Sequence, residues 1–322
     1  MTEQLVDIYP ASPSDRDNWI LRRRPARESL DPLRPSGFFV EQERSAAGDI
    51  VATATILLTN RECPWRCVMC DLWRNTLTTR IPLGAVPAQI DFALAHLPPA
   101  RQMKLYNSGS FFDPQAIPPE DYDAIAARLT GFDTVIVESH PSLIGANCLA
   151  FKQLLNGRLE VAMGLETAHP TVLEKLNKRM TLDSFERAAG YLHSHNIDLR
   201  AFILVQPPFM KAEAALYWAM RSLDFAFDCG ASAATLIPTR ANNGAMEVLA
   251  ATGEFLAPRM DLVEAALIYG LSLRRGRVFA DLWDISSQPS KCPVEQLARL
   301  QQMNLHQVVV SHESYDSGGT AS

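Results

Sequence analysis

The chain has 322 residues, of which 47% are hydrophobic and 20% charged, as is ordinary for a globular enzyme that buries a large core without disulfides. Its formal net charge of −6 gives no compositional case for nucleic-acid binding. We expect no signal peptide, because no apolar core follows the acidic start, and no apolar run is long enough to span a bilayer. Six cysteines, mostly unclustered, fit a reducing compartment, so we expect a cytoplasmic protein without membrane partners.

Residues 1–47 are rich in arginine, proline and serine and show little periodicity, which predicts an irregular N-terminal extension. Arginine is locally dense there, at Arg16, Arg22, Arg23, Arg24, Arg27 and Arg34. One interpretation is a solvated and partly mobile arm. The other is an arm that contacts the phosphates of a nucleic acid or nucleotide substrate.

From residue 51 onward, short apolar runs alternate with amphipathic stretches of helix length. The predicted strands are residues 51–59, 102–106, 134–138, 160–165, 199–205 and 233–237. The predicted helices are residues 87–96, 121–129, 149–155, 170–177, 182–195 and 212–229. Such a repeat predicts a parallel sheet with right-handed crossovers, and six units suit an incomplete (β/α)6 barrel as well as a doubly wound sheet.

The ends of the predicted strands favour the barrel. Polar or glycine-containing sequence follows them, at residues 60–63, 107–110, 138–140, 166–167, 206–208 and 238–240. Catalytic groups of parallel barrels gather at the carboxyl ends of the strands, so chemistry on one rim is the simplest interpretation. We therefore predict a core barrel at residues 48–240 and a C-terminal extension at 241–322 that covers it. The extension is predicted to contain helices at 261–273 and 294–303, a strand at 277–282 and an edge strand or lid at 308–310.

Three cysteines follow the first predicted strand directly. Cys63, Cys67 and Cys70 have the spacing C-x3-C-x2-C within one loop. A structural zinc site is the first alternative, but no histidine lies nearby and zinc sites usually pair two cysteines with a second ligand pair. A disulfide is disfavoured by the expected compartment. Cysteine thiolates are the normal ligands of iron–sulfur clusters, and three of them on a four-iron cluster leave one iron open to something other than protein.

The cysteine spacing, together with Met69 just before the last cysteine, resembles the signature of the radical S-adenosylmethionine (SAM) enzymes. Residues 104–112, 164–167, 174–181 and 202–208 are similar to the Elongator/methylthiotransferase branch of that superfamily. Residues 237–240, 243–247 and 281–284 resemble the radical SAM subunits of archaeosine synthase and their uncharacterised bacterial relatives. By motif order the resemblance covers roughly residues 50–305.

The resemblance implies a partial (β/α)6 TIM-like barrel of the radical SAM type, with N- and C-terminal extensions. It also implies that a [4Fe–4S] cluster on Cys63, Cys67 and Cys70 binds SAM and cleaves it with an electron from a flavodoxin- or ferredoxin-like donor. The resulting 5′-deoxyadenosyl radical would take a hydrogen atom from an unidentified substrate. In archaeosine synthase a partner attaches lysine to a deazaguanine base in tRNA, and the radical step cleaves that adduct, so tRNA or a nucleoside is a candidate substrate. An iron–sulfur electron carrier or sensor is the non-enzymatic alternative.

The resemblance further implies which residues position SAM. Ser108, Gly109 and Ser110 match the glycine-rich stretch that contacts the SAM amino group, although a Gly/Ser turn is by itself more often only a turn. Glu166 ends a strand, where its carboxylate suits a ribose diol, or it is an acid that favours the start of the next helix. Arg200 and Gln206 are the remaining cofactor-binding candidates; Arg200, like Lys178 and Arg179, is equally interpretable as a surface cation.

The C-terminal third offers two weaker candidates for contact with substrate. Cys292 either contacts the substrate or supplies a hydrogen atom, unless it is a buried structural thiol, as we expect of Cys148 and Cys229. The acidic aromatic segment 281–284 follows a predicted strand, so its carboxylates either recognise a cationic substrate or form an ordinary strand-end turn.

Overall fold

The computed structural model describes residues 8–283 and 292–310. Its strands form one sheet of eight, in sequence order from β1 to β8. β1 is antiparallel to β2, and every later neighbouring pair is parallel. The strands are β1 Gly37–Arg44, β2 Ile50–Leu57, β3 Gln102–Tyr106, β4 Thr134–Ser139, β5 Arg158–Glu166, β6 Asp198–Val205, β7 Ala233–Pro238 and β8 Arg277–Ala280.

Helix α1 Pro13–Leu21 precedes the sheet. The helices that connect the parallel strands, as expected for right-handed crossovers, are α2 Ala85–Leu94, α3 Tyr122–Arg128, α4 Ala146–Leu154, α5 Pro170–Lys175, α6 Leu182–Ser194, α7 Ala212–Asp228, α8 Ala245–Ala251 and α9 Met260–Leu273. Helix α10 Val294–His306 follows β8. Short 3₁₀ helices occupy Leu72–Asn75, Pro119–Asp121 and Pro141–Leu143. In residues 8–283 and 292–310, the apolar length of every helix falls short of a membrane span.

The sheet is curled rather than flat. Neighbouring strands lie about 4.8 Å apart, so β1 and β6 would be separated by about 24 Å in a flat sheet of this order. Instead, Glu43 of β1 accepts a hydrogen bond of 2.6 Å from Arg200 of β6. Arg277 of β8 likewise donates to the backbone oxygen of Arg44 in β1, at 3.2 Å. The predicted partial barrel is confirmed, and the doubly wound alternative is not adopted.

Side-chain alternation gives the curled sheet two chemically different faces. On β5, Val161 and Met163 join the apolar core that the sheet forms with the surrounding helices. Glu160 and Gly164 alternate with them and therefore point to the inner face, where Glu160 bonds Arg200 of β6. The inner face thus carries polar groups, and the helices cover the outer one.

Helix α10 lies against both β1 and β8, the two edge strands of the curled sheet. It satisfies the free edge of β8 with two side-chain amides. Asn304 accepts from the Ala280 N–H and donates to the Ala280 oxygen, at 2.8 Å each. Gln307 makes the same pair of bonds to Val278, at 2.7 and 2.9 Å. These amides replace a further strand, which leaves the backbone of β8 paired.

The prediction of an irregular N-terminal extension is wrong for the described part of residues 1–47. This segment contains α1, whose N-cap Ser12 accepts from the Asp15 N–H, and all of β1. Trp19 and Ile20 of α1 are buried in a second apolar cluster. Two apolar residues in a short polar sequence give little periodicity, and only their tertiary partners make the helix stable.

The predicted strands and helices from residue 51 to 273 are found, with ends displaced by up to three residues. Three differences concern the C-terminal extension. The sheet crosses the expected boundary at residue 240, because β8 pairs in parallel with β7. Helix α8 was not predicted, and residues 308–310 contain neither a strand nor a helix; Val308 is exposed while Val310 packs on the core.

Candidate active site

The cysteine loop begins where β2 ends, and its base is fixed by a buried glutamine. Gln89 of α2 accepts from the Thr59 N–H and donates to the Thr59 oxygen, at 2.8 Å each. The Leu77 N–H donates to the Asn60 oxygen at 2.7 Å, which ties the two ends of the loop together. The three cysteines therefore project from a fixed base at the carboxyl ends of the strands.

Cys63, Cys67 and Cys70 are free thiols, each partly accessible to solvent. Burial raises the pKa of Cys63 to about 12 and that of Cys70 to about 11, and it holds the pKa of Cys67 well above its usual value. The charge that Cys70 would carry as a thiolate also raises the pKa of Cys63 and Cys67. Cationic iron would offset that cost, and binding would release the thiol protons.

In residues 8–283 and 292–310, no three Cys, His, Asp or Glu side chains converge on the position of a single metal ion. A four-iron cluster poses a different geometric demand. It takes each thiolate on a separate iron, so the ligands surround a common space rather than one coordination sphere. Three cysteines spread along one loop fit that demand.

The turn after β3 lies directly against the cysteine loop. A Cβ added to Gly109 would be 3.2 Å from the Cβ of Cys63, so this position tolerates little beyond glycine. Glu138, at the end of β4, accepts from the backbone N–H of Asn107 at 2.6 Å and of Gly109 at 3.4 Å. Burial raises the pKa of Glu138, and these N–H donors oppose that effect. The Glu138 carboxylate, which we did not single out from the sequence, therefore holds the backbone of this turn in place.

The two serines of this turn have different surroundings. Ser110 is buried, and its Oγ accepts from the His140 N–H at 2.8 Å, so its hydroxyl supports the end of β4. Ser108 has a φ of 54°, a left-handed conformation that is uncommon for serine. Beside it, Asn107 is fully buried, and neither its Oδ1 nor its Nδ2 has a hydrogen-bond partner in the described structure. A buried amide without partners costs about 1–3 kcal/mol, which is the feature expected of a group that a ligand completes.

Glu166 lies at the end of β5, after a register shift that begins at Gly164. It has a φ of 64° and forms an ion pair with the ammonium of Lys178, in which both side chains are largely buried. A Cβ on Gly164 would lie 2.1 Å from an atom of each partner, so glycine leaves room for this pair. Burial acts to lower the pKa of Lys178, but Glu166 and the thiols Cys67 and Cys63 outweigh it and the pKa is raised. Lys178 thus carries its charge beside the cysteines.

One side of the site is covered by an aromatic stack. Trp65 of the cysteine loop lies on His140 with ring centroids 3.7 Å apart and an interplanar angle of 11°. The His140 Nε2–H donates to the Lys178 oxygen at 3.0 Å, and its Nδ1 accepts from the Ser142 N–H at 3.2 Å. Burial and the nearby Lys178 lower the pKa of His140 to about 3, so the imidazole is neutral. His140 did not stand out in the sequence, because its contact with Trp65 leaves no spacing pattern.

Two asparagines hold the middle of the cysteine loop. Asn243, before α8, donates from Nδ2 to the oxygens of Val68 at 2.8 Å and Cys70 at 3.0 Å. Asn177, after α5, donates to the oxygen of Arg66 at 2.8 Å. The loop is therefore clamped by segments far apart in the chain, which no local motif reveals.

The last two cofactor-binding candidates, Arg200 and Gln206, lie at opposite ends of the barrel. Arg200 is buried and bonded to Glu43 and Glu160. Glu160 lies about 20 Å before Glu166 along β5 at the usual rise per residue, so Arg200 belongs to the opposite end of the barrel and its assignment is wrong. Gln206 does lie at the end of β6, with a φ of 54°, and its Nε2 donates to the oxygen of Leu256 at 2.9 Å.

Two further candidates, Arg179 and Cys292, contact other parts of the protein. Arg179 donates to Asp17 and to the oxygen of Pro13, so it holds α1. Cys292 is buried, with its Sγ 3.5 Å from the Pro293 oxygen and 3.6 Å from the Oε1 of Gln296.

Gln296 bonds Glu264 of α9, which places Cys292 in the helix layer. Asp281 accepts from the Trp283 N–H at 3.1 Å, as a strand-end turn would, and Trp283 stacks on Phe39 at 4.4 Å. Asp284 and Lys291 lie outside the described residues.

No protein-family model matches the chain. An uncharacterised protein of Methanocaldococcus jannaschii is 24% identical over 68% of this chain and 64% of its own length. The archaeosine synthase subunit beta of Methanosarcina acetivorans is 28% identical over 53% of each chain. The chain thus spans between half and two thirds of the length of these curated relatives.

Among solved structures, the archaeal Elp3 of Methanocaldococcus infernus aligns with a TM-score of 0.47 and 13% identity, over 61% of this chain and 51% of that one. The relatives named archaeosine synthase subunit beta confirm the resemblance to that subunit which the sequence motifs indicated.

Proposed function

We propose that the chain is a radical SAM enzyme whose [4Fe–4S] cluster is held by Cys63, Cys67 and Cys70. The observation that carries the proposal is the contact between the cysteine loop and the turn at Gly109, beside the unpartnered carboxamide of Asn107. Three thiols lie on the same rim as a turn whose Asn107 carboxamide has no hydrogen-bond partner in the described structure. This arrangement fits a cluster with an open iron and a small molecule bound next to it. When bound together, the cluster and SAM would supply a 5′-deoxyadenosyl radical that removes a hydrogen atom from the substrate.

The residues around the thiols have distinct tasks in this proposal. Gly109 lets the backbone approach the cluster, and Ser108 and Asn107 offer polar groups to the methionyl end of SAM. Ser110 and Glu138 act indirectly, since their bonds hold the turn in place. Trp65, packed on His140, keeps water from one side of the site, which protects a radical from quenching.

The ion pair of Glu166 and Lys178 offers complementary groups to a zwitterionic nucleoside ligand. The carboxylate of Glu166 can accept hydrogen bonds from ribose hydroxyls, and the ammonium of Lys178 can pair with a carboxylate. Binding would then separate the two side chains, each of which gains a new partner. Gln206 is a further cofactor-binding residue in this proposal, because it ends the adjacent strand β6.

A tRNA-modifying activity with a partner subunit is the second candidate, and the similarity to two proteins named archaeosine synthase subunit beta favours it. The N-terminal arginines would contribute less than the sequence indicates. Arg24 pairs with Glu62, and Arg23 packs on the Trp19 ring and donates to the Trp19 oxygen. Arg22 and Arg34 are exposed. The Arg34 Cζ also lies 3.7 Å from the centroid of the Phe92 ring, so Arg22 is the freer of the two to contact phosphates.

Measurement of 5′-deoxyadenosine tests the enzyme proposal. Anaerobically reconstituted protein given SAM and dithionite should yield 5′-deoxyadenosine, and Cys67→Ala should abolish the product. Cys229→Ala is the matched control, because Cys229 lies at the end of α7 and is a free thiol outside the loop. An intact cluster that never cleaves SAM, even with a competent reductant and candidate substrates, would favour an electron carrier or sensor.

Binding to tRNA separates the second candidate from other substrates. Affinity for tRNA should fall with salt and fall further when Arg22 and Arg34 are replaced by glutamine, since each lost phosphate contact lowers the salt slope by about 1. Salt-insensitive binding, or none, counts against a tRNA substrate.

A further inference from the structure

The residue before the first cysteine is the centre of a cluster of three arginines. Glu62 accepts from Arg24 at 2.6 Å and from Arg27 at 2.5 Å, and Arg66 lies 3.1 Å from it. Arg24 and Glu62 are largely buried, with side chains 8% and 12% exposed. Such a pair is far less screened by solvent than a surface salt bridge. Arg66 in turn donates to the Cys63 oxygen at 2.7 Å, within the loop itself.

Arg27 connects both ends of the cysteine loop. Its Nη2 donates to Glu62, which precedes Cys63. Its Nη1 donates to the Trp73 oxygen at 2.6 Å and to the oxygen and Oγ1 of Thr76 at 2.9 and 2.6 Å, beyond Cys70. The planar fork of a guanidinium makes this two-sided contact possible, and a lysine could not reproduce it.

The rest of the N-terminal segment leads to the same loop. Arg24 also packs over the ring of Trp73, with its Cζ 4.6 Å from the centroid. Asp17 of α1 accepts from Asn177, which itself donates to the loop at Arg66. A Cβ on Gly244 would lie 1.9 Å from the Arg23 oxygen, so the arm also fits closely against the turn that presents Asn243 to the loop. An arm whose role was solvation or phosphate contact would not place these charged groups inward.

We propose that Glu62, Arg24 and Arg27 are positioning residues that fix the cysteine loop in the conformation that holds the cluster. The proposal rests on the cluster assignment made above. The side-chain hydrogen bonds of these three residues go to one another and to Trp73 and Thr76 rather than to the thiols, so they set the path of the backbone on both sides of the cysteines. The inward-facing arginines of the arm, Arg24 and Arg27, are thereby components of the metal site rather than docking residues.

The charges of these residues also act on the cluster. The reduction potential of an iron–sulfur cluster depends on nearby net charge, because the reduced form carries one more negative charge. Loss of an arginine therefore lowers the midpoint potential, and loss of the Glu62 charge raises it. Both substitutions break the same ion pair, so both should loosen the cysteine loop. They should nevertheless shift the midpoint potential in opposite directions.

The experiment compares Glu62→Gln, Arg27→Gln and Arg27→Lys with the parent protein. Each is purified anaerobically and reconstituted with iron and sulfide, and the iron content and midpoint potential are measured without SAM. Arg22→Gln is the matched control: it removes the same charge from the exposed part of the arm. Thermal unfolding of the cluster-free proteins shows whether each variant folds.

We expect all three variants to retain less iron than the parent and the Arg22→Gln control. The midpoint potential should be lower in Arg27→Gln, higher in Glu62→Gln and close to the parent in Arg27→Lys, which keeps the charge and loses the fork. Iron contents and potentials equal to the parent in variants that fold would overturn the proposal. Should Arg27→Gln not fold, Arg27→Lys and Glu62→Gln decide the matter alone. A parent protein that assembles no cluster defeats the proposed function instead.

Discussion

The two ends of the barrel differ in their buried charged groups and in the backbone at the strand ends. At the amino ends of the strands, Glu43 and Glu160 accept from Arg200, and Lys104 and Arg277 complete the set. Burial acts to raise the pKa of Glu43, but the charges of Arg200 and Lys104 outweigh it and hold the pKa well below its usual value. The charged groups at this end have their partners within the protein, so this end contributes to stability.

At the carboxyl ends, the same sheet leaves groups incomplete and backbone strained. Asn107 has no partner in the described structure, and the three strand-end residues Ser108, Glu166 and Gln206 all have positive φ. Each such conformation costs of order 1 kcal/mol in a residue with a side chain. The unpartnered Asn107 and the strained backbone at the carboxyl ends fit the ligand site proposed there.

The largest effect is expected at the charged end. Replacing Arg200 by methionine leaves Glu43 and Glu160 buried with fewer partners, which should lower the free energy of unfolding by about 3–5 kcal/mol. Arg158→Met removes a solvent-exposed arginine paired with Asp198 and should cost about 0–1 kcal/mol. Urea unfolding of both variants measures the difference. Equal losses would mean that the inner network is no more important than a surface pair.

The second effect is a pH dependence contributed by His140. Its pKa is about 3 in the folded protein and about 6.5 when unfolded, so the unfolded chain binds the proton more readily. Stability from this group is complete above pH 6.5 and is lost as the pH falls toward 3. Between pH 6.5 and pH 5 the loss is about 2 kcal/mol.

Comparison with His140→Gln isolates that contribution. The glutamine keeps an N–H donor for the Lys178 oxygen but does not titrate, so the stability gap between the two proteins should shrink as the pH falls from 7 to 5. Unfolding in urea at several pH values measures the gap. A gap that is constant over this range would contradict the neutral, buried imidazole.

The smallest change in stability is expected at the ligand end, and it has the opposite sign. Asn107→Leu removes an unpartnered carboxamide and should stabilise the cluster-free protein by about 1 kcal/mol, while SAM cleavage is lost. Tyr122→Phe is the control, because the Tyr122 hydroxyl is also buried without a partner but lies in α3 among core aromatics. It should stabilise similarly and keep activity. If Asn107→Leu still cleaved SAM, Asn107 would not be one of the residues that bind SAM.

Much of the fold could be predicted because its strands and helices are strongly patterned. β3 has the predicted bounds, and α6 and α7 differ from theirs by one residue at the end. The strand β1 escaped prediction, because its inner face carries Glu41 and Glu43 instead of apolar residues. Charges that are paired across a barrel look like surface charges in a sequence.

The candidate site was only partly predictable, for a related reason. The spacing of Cys63, Cys67 and Cys70 predicted the cluster ligands, and the serines on either side of Gly109 drew attention to that turn. Glu138 and His140 act through contacts with segments distant in the chain, for which no local pattern exists. Arg200 illustrates the reverse error: it stands near the start of β6, so it lies at the amino end of the barrel, where it bonds Glu43 and Glu160.

The sequence by itself determined the alternation of strands and helices, the cysteine triplet and the family that the motifs resemble, because each depends on spacing along the chain. Only the tertiary structure decided the partners of the charged groups. It turned the N-terminal arginines inward onto Glu62, placed Lys178 beside the cysteines and moved Arg200 to the far end. An isolated charge in water has no preferred partner, whereas a buried charge must find one, and curling the sheet selects which.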